Sequence, residues 1–272
     1  MSRKFLRNLL EYFPAVAQWL RVTRDHFDRH DPATITPWGF SLAGSEIMAG
    51  GTFEQAETVL VRELLTEADL FVNVGANVGY YCCHALSVGT PVIAVEPIAR
   101  NLHYLMVNMT NNGWANRVEI FPVALGSEPS ILPIWGGGTG ASLIKGWASI
   151  SESYVTKVPV LTLDRVLGGS IRGKKTLILV DIEGSELMML RGALQTLENE
   201  PRPIWMVETS LTEHQPRGRL INPYFAETFS MFFDRGYKAF PVEEIDRQFT
   251  QADVKRAILD VESLNFHNFV FR

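Results

Sequence analysis

Apolar positions change their spacing along the chain. Leu6, Leu9, Leu10, Phe13, Val16, Ala17 and Leu20 recur at helical spacing and predict an amphipathic helix. Residues 1–52 read as an N-terminal extension, with that helix followed by a turn-rich stretch through Asp31-Pro32 and Pro37-Trp38-Gly39. From residue 53 the pattern becomes rhythmic. Residues 53–65 predict a helix with Val59, Leu60, Leu64 and Leu65 on one face. Short apolar runs at 70–74, 91–95, 118–123, 176–180 and 203–207 then alternate with predicted helices over 79–88, around 102–109, and over 185–197 and 223–235. Apolar runs joined by helices imply parallel strands buried on both faces. The middle breaks the rhythm: 129–135 and 157–161 read as an inserted β-hairpin flanking the loop Gly136-Gly137-Gly138-Thr139-Gly140. Residues 265–271 alternate like an edge strand. The prediction is a Rossmann-like α/β domain over 53–272, with a central, mostly parallel sheet and helices on both faces.

A chain of 272 residues with 46% hydrophobic content can bury one full core. A net charge of -5 disfavours nucleic acid as a partner, because a surface that grips phosphates carries a basic excess. The two cysteines, Cys82 and Cys83, are adjacent, which excludes a disulfide framework and reads as cytoplasmic. Arg3, Lys4 and Arg7 precede no unbroken apolar run, so the start is not a signal peptide. The first helix suits peripheral contact with a membrane surface, docking on the domain, or pairing with a twin subunit in a homodimer.

The informative segment is Val72-Asn73-Val74-Gly75-Ala76-Asn77-Val78-Gly79-Tyr80-Tyr81. A strand enters a glycine turn that opens a helix, the arrangement of a nucleoside-cofactor site. Glu96-Pro97 closes the next strand, where a carboxylate can accept the hydroxyls of a ribose. A nicotinamide dinucleotide needs G-x-G-x-x-G for its pyrophosphate, but Asn77 and Tyr80 stand where the second and third glycines belong. S-adenosylmethionine has no phosphate and needs only small polar partners, which Asn73, the turn amides and Asn77 can supply.

Several blocks in order resemble the FkbM-type methyltransferases. Val74 to Tyr81 is similar to their cofactor turn, and Ala94-Val95-Glu96-Pro97 to their acidic strand end. Val123-Ala124-Leu125-Gly126, Leu161-Thr162-Leu163-Asp164, Val180-Asp181-Ile182-Glu183-Gly184-Ser185-Glu186, Arg191-Gly192-Ala193, Val207-Glu208 and Gly236-Tyr237 resemble further family blocks. The resemblance runs from about 53 to 239. It implies a class I methyltransferase fold, S-adenosylmethionine as donor and a hydroxyl oxygen as acceptor. It implies cofactor contacts from Asn73, Gly75, Ala76, Asn77, Gly79, Tyr80, Glu96, Pro97, Ala124 and Asp181. The family has Asp where this chain has Asn73, which weakens pairing with the cofactor ammonium.

Methyl transfer to a hydroxyl needs alignment and a proton acceptor. Asp181, Glu208 and His214 follow the fourth and fifth strands of the rhythm, at the end of the sheet where ligands bind in open α/β folds. They are the catalytic candidates, and with Glu183 the carboxylates could instead hold a divalent cation. Glu183 and Glu186 also suit the first turn of the following helix. His84, His103 and His267 lack metal-ligand spacing and read as structural. The glycine loop at 136–140 reads as a lid over the acceptor, which would be a small molecule, a glycan or a lipid-linked hydroxyl. Two other readings stand beside this one: a nicotinamide-dependent oxidoreductase, and a non-catalytic binding module that keeps the fold.

Overall fold

A computed structural model describes residues 32–261 and 264–272. The helix expected over residues 6–20 lies outside the described residues.

The described chain opens with a two-stranded ribbon, β1 (Thr34–Ile35) and β2 (Ser41–Leu42), and a short helix α1 (Glu46–Ala49). Helix α2 (Gln55–Leu65) then leads into β3 (Leu70–Val74), α3 (Tyr80–Ser87), β4 (Val92–Val95), α4 (Ala99–Asn111) and β5 (Val118–Phe121). Three strands follow, β6 (Ala124–Leu125), β7 (Ser130–Trp135) and β8 (Val155–Leu161). The rhythm resumes with α5 (Leu163–Leu167), β9 (Thr176–Val180), α6 (Glu186–Arg191), α7 (Leu194–Leu197) and β10 (Ile204–Glu208). The chain closes with α8 (Phe225–Phe233), β11 (Ala239–Pro241), α9 (Gln251–Leu259) and β12 (Asn268–Phe271).

The main sheet has seven strands in the order β11-β12-β10-β9-β3-β4-β5. Strands β5, β4, β3, β9 and β10 run parallel, with Val72 opposite both Ile93 and Ile178. β12 inserts antiparallel between β10 and β11. This is a Rossmann-like fold, and the strand order reverses between β3 and β9, the switch point where open sheets bind ligands. Alternation along each strand feeds two cores. Val72, Val74, Ile178 and Trp205 face one, and Phe71, Leu177, Leu179 and Met206 face the other. Asn73 therefore takes an apolar position on the second face.

Four expectations are corrected. The third strand ends at Phe121, because Pro122 offers no N–H to continue the ladder, and Ala124 leaves for another sheet. There β6 pairs parallel with β8 and β7 pairs antiparallel with it, so the inserted hairpin is part of a three-stranded sheet. The helix expected over 185–197 splits at Gly192, where a Cβ would strike the Gly126 carbonyl. β12 is not an edge strand, since β11 covers it. Strand β11 and helix α9 lack a signal strong enough to predict.

Residues 34–49 pack on the same core. Phe40 and Leu42 are buried among Tyr80 and Tyr104. Asn108 in α4 holds them: its Oδ1 accepts from Ala43 N–H at 2.8 Å, and its Nδ2 donates to Ala43 O at 3.1 Å and to Val78 O at 2.8 Å. Among the described residues no helix is long and apolar enough to cross a membrane.

Under the β10–β12 end of the sheet, Phe229 is fully buried and meets the rings of Phe225, Phe233, Phe249, Phe269 and Phe271. Phe229→Ala is expected to lower stability by about 3–5 kcal/mol, read as a fall in the urea midpoint. A loss below about 1 kcal/mol would mean that this cluster does not carry the core.

Candidate active site

β3 runs into a turn with three left-handed residues, Gly75 (φ 83°), Asn77 (φ 51°) and Gly79 (φ 87°). Asparagine is among the residues that tolerate this region. At Gly75 any Cβ would collide with the Asp181 carbonyl, and Asp181 N–H donates to Val74 O at 3.0 Å. The tips of β3 and β9 thus touch over a glycine.

Glu96, at the end of β4, is buried and holds the turn. Its Oε2 accepts from Asn77 N–H at 2.8 Å and its Oε1 from Ile98 N–H at 2.7 Å. Burial pushes its pKa up to about 7, while the two amides pull it back. The Asn101 side chain also hydrogen-bonds this carboxylate, which leaves one lone pair for a ligand hydroxyl. Beside it lies a cavity enclosing about 560 Å³, lined by Gly75, Asn77, Glu96, Pro97, Asn101 and Ala124 among others. Asn77 Oδ1, Asn101 Oδ1 and Ser185 Oγ are buried without a protein partner, and all three residues line this cavity. Asn101 Nδ2 donates to Gly138 O at 3.0 Å, which fixes which end of that amide is the oxygen.

Of the five turn amides expected to serve the ligand, four are engaged within the protein, all but Val78 N–H. Gly75 and Ala76 N–H both donate to Val95 O at 3.0 Å, Gly79 N–H donates to Ala76 O at 2.8 Å, and Asn77 N–H is spent on Glu96. The turn is held by its own amides and leaves a cavity rich in acceptors.

A second cavity, enclosing about 940 Å³, meets the first at Gly75, Asn77, Thr139, Asp181 and Glu183. Asp181, Glu208 and His214 all line it, so the three catalytic candidates are brought together. Asn73 and Ala76 face this cavity and not the first, and Asn73 Oδ1 accepts the Cys82 thiol at 3.4 Å. Tyr80 also borders it, with its hydroxyl 3.3 Å from Thr58 Oγ1 and its ring against Phe53 and His84. Gly79 touches neither cavity and starts α3, packed on Leu105.

The second cavity is a pool of buried carboxyls. Asp181 and Glu208 hydrogen-bond one another. Burial, reinforced by neighbouring carboxylates, pushes Glu208 up to about 8 and Asp181 well above its ordinary value. Glu54 accepts from the Tyr81 hydroxyl at 2.7 Å, and burial pushes it up to about 6. Glu183 accepts from Trp147 Nε1 at 2.6 Å; burial raises its pKa, opposed by Trp147 and by His214. Glu186 is buried in the first turn of α6, accepts from Gly184 N–H at 2.8 Å and is pushed up to about 8 by burial. Among the described residues no group of three or more His, Cys, Asp or Glu is arranged to hold a metal ion.

Other residues play structural parts. His84 is buried beside Arg62 at 3.1 Å, and burial lowers its pKa to about 3. Asp164 caps α7 through Gln195 and Thr196. Sequence reasoning missed Asn101 and Glu54. Asn101 sits on the buried stripe of α4 with Tyr104, Leu105 and Asn108, and a polar residue on such a stripe is a usable signal. Glu54 reads as an ordinary acid at a helix start and carries none.

The sheet order and the joined cavities at its switch point make this a Rossmann-like α/β protein with its candidate site at the ligand-binding end of the sheet. Residues 73–239 match the family model described as Methyltransferase FkbM domain, which is more than half of the chain, and the protein belongs to that family. No curated protein sequence is significantly similar to it. Among solved structures it is similar to a putative O-methyltransferase from Klebsiella pneumoniae, at 11% identity over 92% of this chain and 86% of that one, with a TM-score of 0.43. It is similar to an O-methyltransferase from Bacillus cereus in complex with SAH, at 12% identity over 80% and 79%, with a TM-score of 0.42. It is also similar to precorrin-6y C5,15-methyltransferase from Geobacter metallireducens, at 10% identity over 74% and 79%, with a TM-score of 0.43. Likenesses this distant bear on neither cofactor nor acceptor.

The buried carboxyls give a pH dependence with a definite sign. Glu54, Glu96, Glu186 and Glu208 bind protons more tightly folded than unfolded, where their pKa is about 4.5. Between about pH 4.5 and 8 the native state therefore holds more protons, and their contribution to stability falls as pH rises. The ligand-free protein is expected to melt at a lower temperature at pH 8 than at pH 6. A melting temperature that rises over that interval would contradict the buried state of these groups.

Proposed function

We propose that the protein is an S-adenosylmethionine-dependent O-methyltransferase acting on a hydroxyl of a small molecule, a glycan or a lipid-linked acceptor. The observation that carries this reading is the mismatch in the first cavity: the unpaired side-chain oxygens of Asn77 and Asn101 accept hydrogen bonds, while four of the five turn amides are spent. A pyrophosphate brings only acceptors and needs N–H donors. Adenosine and an amino-acid tail bring hydroxyl, amino and ammonium donors, which suit Glu96, Asn77 and Asn101. A nicotinamide-dependent oxidoreductase is therefore poorly served by this turn.

S-adenosylmethionine, when bound, supplies a methyl group on an electrophilic sulfonium. Glu96 would take a ribose hydroxyl, and the junction at Gly75 and Asn77 would open the methyl toward the second cavity. There the Asp181–Glu208 pair would hold the acceptor hydroxyl, and the ionised member would take its proton, with His214 as a second acceptor at the same wall. Keeping four buried carboxyls around one cavity is costly. A non-catalytic module has no use for them. Among the described residues no Lys or Arg lines the second cavity, which disfavours a polyanion such as nucleic acid as acceptor. The reduced, buried Cys82 and Cys83 suit a cytoplasmic setting.

Calorimetric titration with S-adenosylmethionine, S-adenosylhomocysteine and NAD tests the reading. The adenosyl ligands are expected to bind and NAD is not, and Glu96→Ala should weaken the adenosyl ligands by about 1–3 kcal/mol. Binding of NAD alone, or of no ligand, would reject it.

A further inference from the structure

Glu54 stands apart from the rest of the site. It lies before the family-matched segment, which begins at residue 73. Its backbone is left-handed at φ 39°, a conformation that a non-glycine residue keeps only where its surroundings hold it. It occupies the N-cap position of α2 and makes no capping bond. Instead the carboxylate turns inward to the Tyr81 hydroxyl and lines the second cavity opposite Asp181, Glu183 and Glu208. Among the described residues the cavity has no Lys or Arg to balance these groups. Asp181 and Glu183 border both cavities, so the carboxyl pool begins where the adenosyl site ends.

We propose that Glu54 is a specificity-determining residue of the methyl-donor site: with Asp181, Glu183 and Glu208 it makes the cavity favour the positively charged sulfonium donor over the neutral thioether left after transfer. The proposal rests on the S-adenosylmethionine reading above. Donor and product carry the same ammonium and carboxylate, so they differ only in the methyl and the sulfonium charge. A cation at the junction favours the ionised form of every carboxyl that faces it. Donor binding therefore expels protons that product binding leaves in place, and loss of the charge after transfer lets the carboxyls take protons back and loosens the product. The titratable groups facing Glu54 are Tyr81 from α3, Glu57 from α2, Asp181 and Glu183 after β9, and Glu208 from β10; Glu186 and His214 complete the surround. Tyr81 stays protonated, because burial raises its pKa far above the working range.

The test is calorimetry of S-adenosylmethionine and S-adenosylhomocysteine binding to the full chain, at pH 6, 7 and 8, in buffers of different ionisation enthalpy. The number of protons released then follows directly. The donor is expected to release more protons than the product, and the ratio of their affinities to rise with pH, by at most roughly tenfold per pH unit for one proton. Glu54→Gln should flatten that rise and lower the donor-to-product affinity ratio at pH 8, with product affinity little changed. Tyr81→Phe, which keeps the carboxylate, should retain the pH slope. Equal proton release for the two ligands in the unmodified protein overturns the proposal, and so does an unchanged ratio in a folded Glu54→Gln variant. Should that variant fail to fold, the comparison in the unmodified protein decides alone. Failure of both ligands to bind overturns the methyltransferase reading as well, and so separates the two.

Discussion

The tips of β3 and β9 meet over Gly75, with the Asp181 carbonyl in the space a side chain would fill. Everything at the site depends on that approach. It sets Asp181 beside the turn and joins the two cavities at a shared wall. Val95 O, taking both Gly75 and Ala76 N–H, ties β4 into the same knot and delivers Glu96 to Asn77. A turn built this way spends its donors on itself, and the cavity it leaves is one of acceptors. The chemistry of the ligand is thus limited by how the backbone holds its own shape.

Burial without compensation is the second theme. Asp181, Glu54, Glu183 and Glu208 come from three separate stretches of chain, and Glu54, Glu183 and Glu208 each raise the proton affinity of others. Among the described residues none of them has a lysine or arginine partner in the cavity. Such an arrangement is unstable by itself and is tolerated where a ligand completes it.

Much of the fold was legible in the sequence. Five apolar runs became five parallel strands, because a strand covered on both faces must be apolar at every position. The cofactor turn and Glu96 were legible because a strand-to-helix glycine turn leaves a local trace. Tertiary close approach left none: the break at Gly192 depends on Gly126, sixty-six residues earlier in the chain by their numbers. β11 was hidden by its length of three residues. At the site, the residues that follow strand ends could be read from order alone. Glu54 could not, since nothing local says that its backbone turns left-handed and its carboxylate inward.

Asn108 uses one short amide to bind three backbone groups: it accepts from Ala43, donates back to Ala43, and donates to the Val78 carbonyl inside the cofactor turn. Aspartate has the shape but lacks the donors, leucine has the volume but neither function, and glutamine is a methylene too long. In the alphabet of side chains the position therefore admits a single letter. Asn112 grips Ser41 N–H and O in the same way just past the end of α4, so the start of the described chain is held by a pair of amides, of which Asn108 is the one that also reaches the cofactor turn.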